Sequence, residues 1–217
     1  MKFSVKICGL KDARNVAAAV EGGAAYTGFV FFRRSPRFIT AEAAGTLINE
    51  IPRSVTSVGL FVNPTDAELE TVLAHARLGM IQLHGNETPA RVDKVRRLSG
   101  LPVIKAVGVA TARDVHAAKI YEDHADWLLF DAKPPKDAAR PGGNALAFDW
   151  PLLKTYAGKT SWMLAGGLTR GNVAAAIKAS GARAVDVSSG VETTPGVKSP
   201  AKIRAFLKTA LAASSRK

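Results

Sequence analysis

Cysteine is almost absent. One thiol, Cys8, stands in 217 residues, so no disulfide can close within the chain and a cluster of thiolate metal ligands is excluded. No apolar run approaches the roughly 18 residues that span a bilayer, and the segment MKFSVKICG lacks the long apolar stretch and small-residue cleavage site of a secretory leader. These absences predict a cytoplasmic protein with no membrane partner. Negative charge is scarce as well: 30 Lys and Arg face 18 Asp and Glu, for a net charge of +12. After Glu192 there is no carboxylate, while Lys198, Lys202, Arg204, Lys208, Arg216 and Lys217 follow it. Such a basic end suits an anionic partner or a solvated face. No basic motif interleaved with aromatics accompanies it, so nucleic acid is not the expected partner. Internal repeats and a linker are also missing, as is a G-x-G-x-x-G after the first apolar run, which weakens an open dinucleotide-binding sheet.

What is present is a chain 47% hydrophobic, long enough for one domain with a large core. The expectation is a single domain over residues 1–217, with a basic tail from about 213. Short apolar runs end near Cys8, Phe31, Val62, His84, Val107, Asp131, Ala165 and Ser188, with amphipathic stretches of helical period between them. Helix starts are marked by Thr65 with Glu68, by Thr88-Pro89 and Ser199-Pro200, and by Thr40, Thr111 and Thr169. Strict β/α alternation implies a parallel sheet, and this many units at this length imply α/β architecture closed into a (β/α)8 TIM barrel. The one long irregular stretch, residues 132–147, holds two prolines and then Pro-Gly-Gly, and reads as a mobile cover over a site.

Two segments carry the first chemical signal. LAGGLTRGN at 164–172 and VDVSSGVE at 185–192 each empty an apolar run into small residues where a helix should begin. Backbone N–H groups at the positive end of a helix dipole are then uncovered, as an anion site requires. In a barrel the loops after the last two strands sit side by side at the carboxyl face, so the pair suits one phosphate, around Gly166, Gly167, Ser188, Ser189 and Gly190.

Strand parity supplies the rest. Alternation puts Lys6 and Cys8 on the barrel side of the first strand, Gln82 and His84 on the fourth, Asp131 on the sixth, and Asp186 and Ser188 on the eighth. The same count turns Lys105 inward on the fifth strand, with no role assigned. Because the first and eighth strands are neighbours in a closed barrel, Lys6 is predicted beside Asp186, where its charge would help lower the Cys8 pKa. A thiolate across the mouth from a carboxylic acid is a general base facing a general acid, an arrangement that needs no metal or cofactor. The cluster Arg33-Arg34-Ser35-Pro36-Arg37 offers a two-pronged grip on a carboxylate, or is only a solvated patch.

Taken together, the segments VKICGL, GFVFFRRSPRFI, IQLHGNE, LLFDAKPP, PGGNALAFDW, LAGGLTRGNV and VDVSSGVETTPGVKSP run in order along the whole chain. In them the sequence resembles the phosphoribosylanthranilate isomerases of tryptophan biosynthesis. The resemblance implies an Amadori rearrangement of a phosphosugar substrate, phosphoribosylanthranilate. Asp131 would be the acid that opens the ribose ring and Cys8 the base at the sugar's second carbon. Arg37 would hold the anthranilate carboxylate, Gln82, His84 and Asp186 would lie at the substrate, and the two glycine-rich loops would hold the phosphate. Where the family carries a glycine in the loop after the sixth strand, this chain has Ala145, which bears on that loop's geometry. Two other barrel enzymes are weighed: an aminosugar isomerase of histidine biosynthesis, which resembles a two-aspartate pair, and indole-glycerol-phosphate synthase, which wants strand-end glutamates that are missing. A non-catalytic barrel that binds an anionic partner is the alternative of a different class. A monomer is expected.

Overall fold

The computed structural model describes residues 3–133 and 147–214. Eight parallel strands close into a barrel in sequence order: β1 (Ser4–Cys8), β2 (Tyr26–Val30), β3 (Thr56–Phe61), β4 (Met80–Leu83), β5 (Val103–Val109), β6 (Trp127–Ala132), β7 (Ser161–Leu164) and β8 (Ala184–Val187). Six helices lie in the connections, α1 (Ala13–Glu21), α2 (Ala41–Asn49), α3 (Asp66–His75), α4 (Pro89–Ser99), α5 (Ala112–Ala117) and α6 (Val173–Ser180), and α7 (Pro200–Ser214) ends the described chain. The seam between β8 and β1 pairs Lys6 with Asp186.

Helix starts follow local chemistry. Thr65 and Glu68 form a reciprocal capping box, Thr111 and Asp114 form another, and Thr40 and Thr88 cap their helices, with Pro89 in the first turn of α4. Each such cap is worth about 1 kcal/mol. Three details differ from the sequence reading. Thr169 does not open α6: its N–H donates to Oδ1 of Asn172 at 2.7 Å, and the helix begins after Asn172. Among its described residues, the connection after β6 carries a 3-10 turn, Trp150–Thr155, rather than an α-helix. A two-stranded antiparallel ribbon, β9 (Glu192–Thr194) and β10 (Val197–Lys198), lies between β8 and α7 and was not anticipated.

Two apolar layers position the site. Inside the barrel, Val58, Met80, Ile104, Leu129, Met163 and Ala184 pack together. Between sheet and helices lies a larger layer that includes Val5, Ile7, Ile81, Leu83, Leu128 and Phe130. Phe130 meets Tyr156 and Trp162 edge-on at 5.3 and 5.7 Å, contacts that lock the outer side of β6 and leave its next residue, Asp131, on the inner side. On β5 the inner residues are Ile104 and Ala106. Lys105 therefore points outward, contrary to the parity count, and its ammonium bonds to Oε2 of Glu87 at 2.9 Å and to the carbonyl of Gly85 at 2.8 Å. Its role is to pin the loop that follows β4. The loop at 132–147 and Ala145 lie outside the described residues except at its ends, as do Arg216 and Lys217 of the tail.

Candidate active site at the carboxyl end of the barrel

Cys8 is the last residue of β1 and Asp131 the last but one of β6. Only β7 and β8 separate those strands around the closed sheet. Both residues are therefore at the carboxyl end, where the connecting loops build the sites of barrels of this type.

Around the thiol, Nζ of Lys6 donates to Oδ1 of Asp186 at 3.0 Å, as the strand adjacency predicted. Burial pulls the lysine pKa down, but Asp186 and the Cys8 sulfur outweigh it and hold the ammonium above its ordinary value. Lys6 lowers the thiol's pKa as expected, but the net shift is upward. Burial pushes Cys8 above its ordinary 9.0, and Asp186 adds to that, while Lys6 and Lys198 only partly offset the rise. Desolvation of the anion is the larger effect because Cys8 is 3% exposed.

Around the carboxyl group, Nε2 of His84 lies 3.2 Å from Oδ2 of Asp131, and Oδ1 accepts the N–H of Ala132 at 2.8 Å. Nδ1 of His84 lies 2.9 Å from Nε2 of Gln82. With the amide nitrogen donating to Nδ1, the imidazole proton sits on Nε2 and faces the carboxylate. Oε1 of Gln82 is buried and has no hydrogen-bond partner among the described residues. A buried carbonyl oxygen in that state is a ready acceptor for a hydroxyl. The His84 loop is stapled from behind by Glu87, which accepts the N–H of Gly85 at 3.0 Å and of Asn63 at 2.8 Å and receives the Lys105 ammonium.

The two glycine-rich loops touch both groups. Gly166 and Gly167 have φ of +84° and +60°, and a β-carbon on Gly166 would lie 3.2 Å from Oδ1 of Asp131 and 2.7 Å from the Ala132 nitrogen. Only glycine fits that turn without strain. At Gly190, a β-carbon would sit 1.9 Å from the Leu168 carbonyl oxygen, so the loops after β7 and β8 pack backbone against backbone. The Asn172 side chain ties the first loop together, donating to the Gly167 carbonyl at 2.9 Å. Ser188 and Ser189 lead into a 3-10 turn at Ser189–Val191, and Oγ of Ser188 donates to the carbonyl of Cys8 at 3.1 Å.

Arg37 turns inward from the basic cluster and is 5% exposed. Its Nε and Nη2 donate to Oε1 and Oε2 of Glu192 at 2.7 and 2.8 Å. Glu192, Lys198 and Asn172 belong to this assembly and were not singled out from sequence. The signal available was weak: two isolated charges flanking Thr-Thr-Pro-Gly, and an asparagine after Arg-Gly.

A parallel eight-stranded barrel with a thiol, a carboxyl group and two glycine-rich loops at its carboxyl end defines the class of phosphosugar-handling α/β barrels. Residues 5–209 match the family model described as "N-(5'phosphoribosyl)anthranilate (PRA) isomerase". The chain is 58% identical over 212 residues to N-(5'-phosphoribosyl)anthranilate isomerase of Paracoccus denitrificans, covering 98% of this chain and 99% of that one. It is 55% identical over 210 residues to the protein of that name from Paramagnetospirillum magneticum, covering 97% and 98%. The solved phosphoribosyl anthranilate isomerase of Thermotoga maritima superposes with a TM-score of 0.85 at 36% identity, over 97% of this chain and 99% of that one. A structure of such an enzyme in complex with reduced 1-(o-carboxyphenylamino)-1-deoxyribulose 5-phosphate gives 0.82 at 35% identity, with the same coverage. The chain belongs to the phosphoribosylanthranilate isomerase family.

Proposed function

We propose that the chain converts N-(5'-phosphoribosyl)anthranilate to 1-(o-carboxyphenylamino)-1-deoxyribulose 5-phosphate. Asp131 gives its proton to the ring oxygen of the ribose, the bond from that oxygen to the first carbon breaks, and the anilino nitrogen takes up the resulting charge as an iminium. Cys8, as thiolate, then removes the proton from the second carbon, and the electron pair flows into the carbon–nitrogen bond to give an enolamine that tautomerises to the ketone. His84 holds the carboxyl group of Asp131 in place through Nε2, and Gln82 accepts a substrate hydroxyl. Asp186 holds Lys6 against Cys8, so that a cation faces the sulfur in the thiolate form that the proton transfer then neutralises. Arg37 meets the ring carboxylate, and Gly166, Gly167, Ser188, Ser189 and Gly190 supply the backbone of the phosphate cradle.

One observation carries the reading: the acid and the base each touch a different one of the two glycine-rich loops. Gly166 packs on Asp131 and Ser188 bonds to Cys8. A phosphate held between those loops therefore tethers a sugar within reach of both groups, which is the orientation effect on which acid–base catalysis depends. One chain supplies every group named, which supports a working monomer. No described helix is long and apolar enough to cross a membrane, and we take the cytoplasm as its place of work. Turnover of phosphoribosylanthranilate by the purified chain, with restored growth of a tryptophan auxotroph lacking this activity, tests the reading. An intact protein that gives neither overturns it.

A further inference from the structure

The β9–β10 ribbon places Glu192 opposite Lys198, and both are buried, at 8% and 7% exposure. An ammonium group has three N–H donors. Lys198 bonds to the carbonyl of Ser188 at 2.9 Å, to Oγ of Ser188 at 3.1 Å and to Oε1 of Glu192 at 2.7 Å. Glu192 in turn holds Arg37 through both carboxylate oxygens. A fork-to-fork pair of this kind fixes the plane of the guanidinium as well as its position. The stem of Arg37 is held too, since a β-carbon on Gly9, the residue after Cys8, would lie 2.8 Å from its Cδ. At the far end of the ribbon, Gly196 packs on the carbonyl of Pro36 next to Arg37.

We propose that Glu192 is a positioning residue that aims Arg37 at the ring carboxylate of the substrate, with Lys198 anchoring Glu192 to the loop after β8. The inference rests on the isomerase reading above and adds to it the device that selects a carboxylated aromatic amine. Stability alone is a poor reason for such a cluster, because burying a charged pair costs about as much in lost hydration as its attraction returns. The bonds from Arg37 and Lys198 outweigh the effect of burial on Glu192 and keep its pKa below the ordinary 4.5, so the clasp is ionised at neutral pH.

Charge and position predict opposite signs at Glu192. Removing its negative charge with Glu192→Gln makes the surroundings more positive, which by charge alone tightens the grip on a carboxylate. Loss of aim loosens it. The test is calorimetric binding of two probes to the full chain: reduced 1-(o-carboxyphenylamino)-1-deoxyribulose 5-phosphate and its phenylamino counterpart without the carboxyl group. The ratio of the two dissociation constants isolates the carboxyl contact and cancels any effect on the phosphate loops. Glu192→Gln should shrink the wild-type preference for the carboxylated probe by about tenfold or more. Glu192→Asp, which keeps the charge and shortens the reach, should also shrink it, and it serves where the glutamine variant does not fold. Lys198→Arg, which keeps the charge but not the compact three-donor geometry, should do the same. A preference unchanged or enlarged in the Glu192 variants overturns the inference, and a wild-type preference retained in Lys198→Arg removes the anchoring role. Failure of the unmodified chain to turn over phosphoribosylanthranilate sinks the isomerase reading instead, an outcome separate from these.

Discussion

Lys6 and Asp186 face each other across the strands that close the barrel, Nζ to Oδ1 at 3.0 Å, with the only thiol of the chain against the same ammonium. A fully buried lysine is tolerable only with such a partner. Asp186→Asn leaves that charge uncompensated and should cost about 3–5 kcal/mol of unfolding free energy. Urea unfolding measures it, and a loss under about 1 kcal/mol would mean that the pair contributes little to the barrel.

The same arrangement sets the thiol. Burial raises the Cys8 pKa above 9.0 despite Lys6, so the protonated form dominates at neutral pH and the thiolate fraction grows with rising pH. Alkylation by iodoacetamide should therefore accelerate about tenfold per pH unit from 7 to 9 and level off only above that. A plateau below pH 8 contradicts the assigned direction. With a single cysteine in the chain, the readout belongs to Cys8 alone.

Arg37→Ala removes the group assigned to the ring carboxylate and also leaves Glu192 with one cation fewer. Steady-state kinetics should show KM rising more than kcat falls, with a lower melting temperature from the broken buried pair. If kcat falls more than KM rises, the arginine acts in the chemical step.

Gly190→Ala tests the joint between the two loops. The added carbon would meet the Leu168 carbonyl at 1.9 Å, and backbone cannot yield as a flexible side chain does. The expected outcome is a loss of about 1–3 kcal/mol in stability with weaker binding of inorganic phosphate as a competitive inhibitor. Wild-type phosphate affinity in a folded variant would remove this loop from the cradle.

Most of the barrel is legible in the letters. Eight apolar runs end within about two residues of the eight strand ends, and the parity of Lys6, Cys8, Gln82 and Asp131 agrees with the outward packing of their strand neighbours Val5, Ile7, Ile81, Leu83 and Phe130. Parity fails at Lys105 because Val-Ile-Lys-Ala-Val-Gly-Val is apolar on both sides. A strand of a parallel sheet packed on both faces has no alternation to read. The Lys6–Asp186 contact follows from strand adjacency, but the direction of the Cys8 shift does not, since it balances a known neighbour against a burial cost that letters do not show. The clasp on Arg37 is hidden for another reason. Arg37 and Glu192 are 155 residues apart, and only side-chain reach across two loops joins them.

The central claim is an acid and a base acting on one sugar, and its most direct measurement is kcat for Cys8→Ala and Asp131→Asn beside their melting temperatures. Each substitution should lower kcat by about 100-fold or more while the melting temperature moves little, because each removes few atoms and neither leaves a buried charge unpaired. Near-normal turnover in either variant would contradict the role given to that residue.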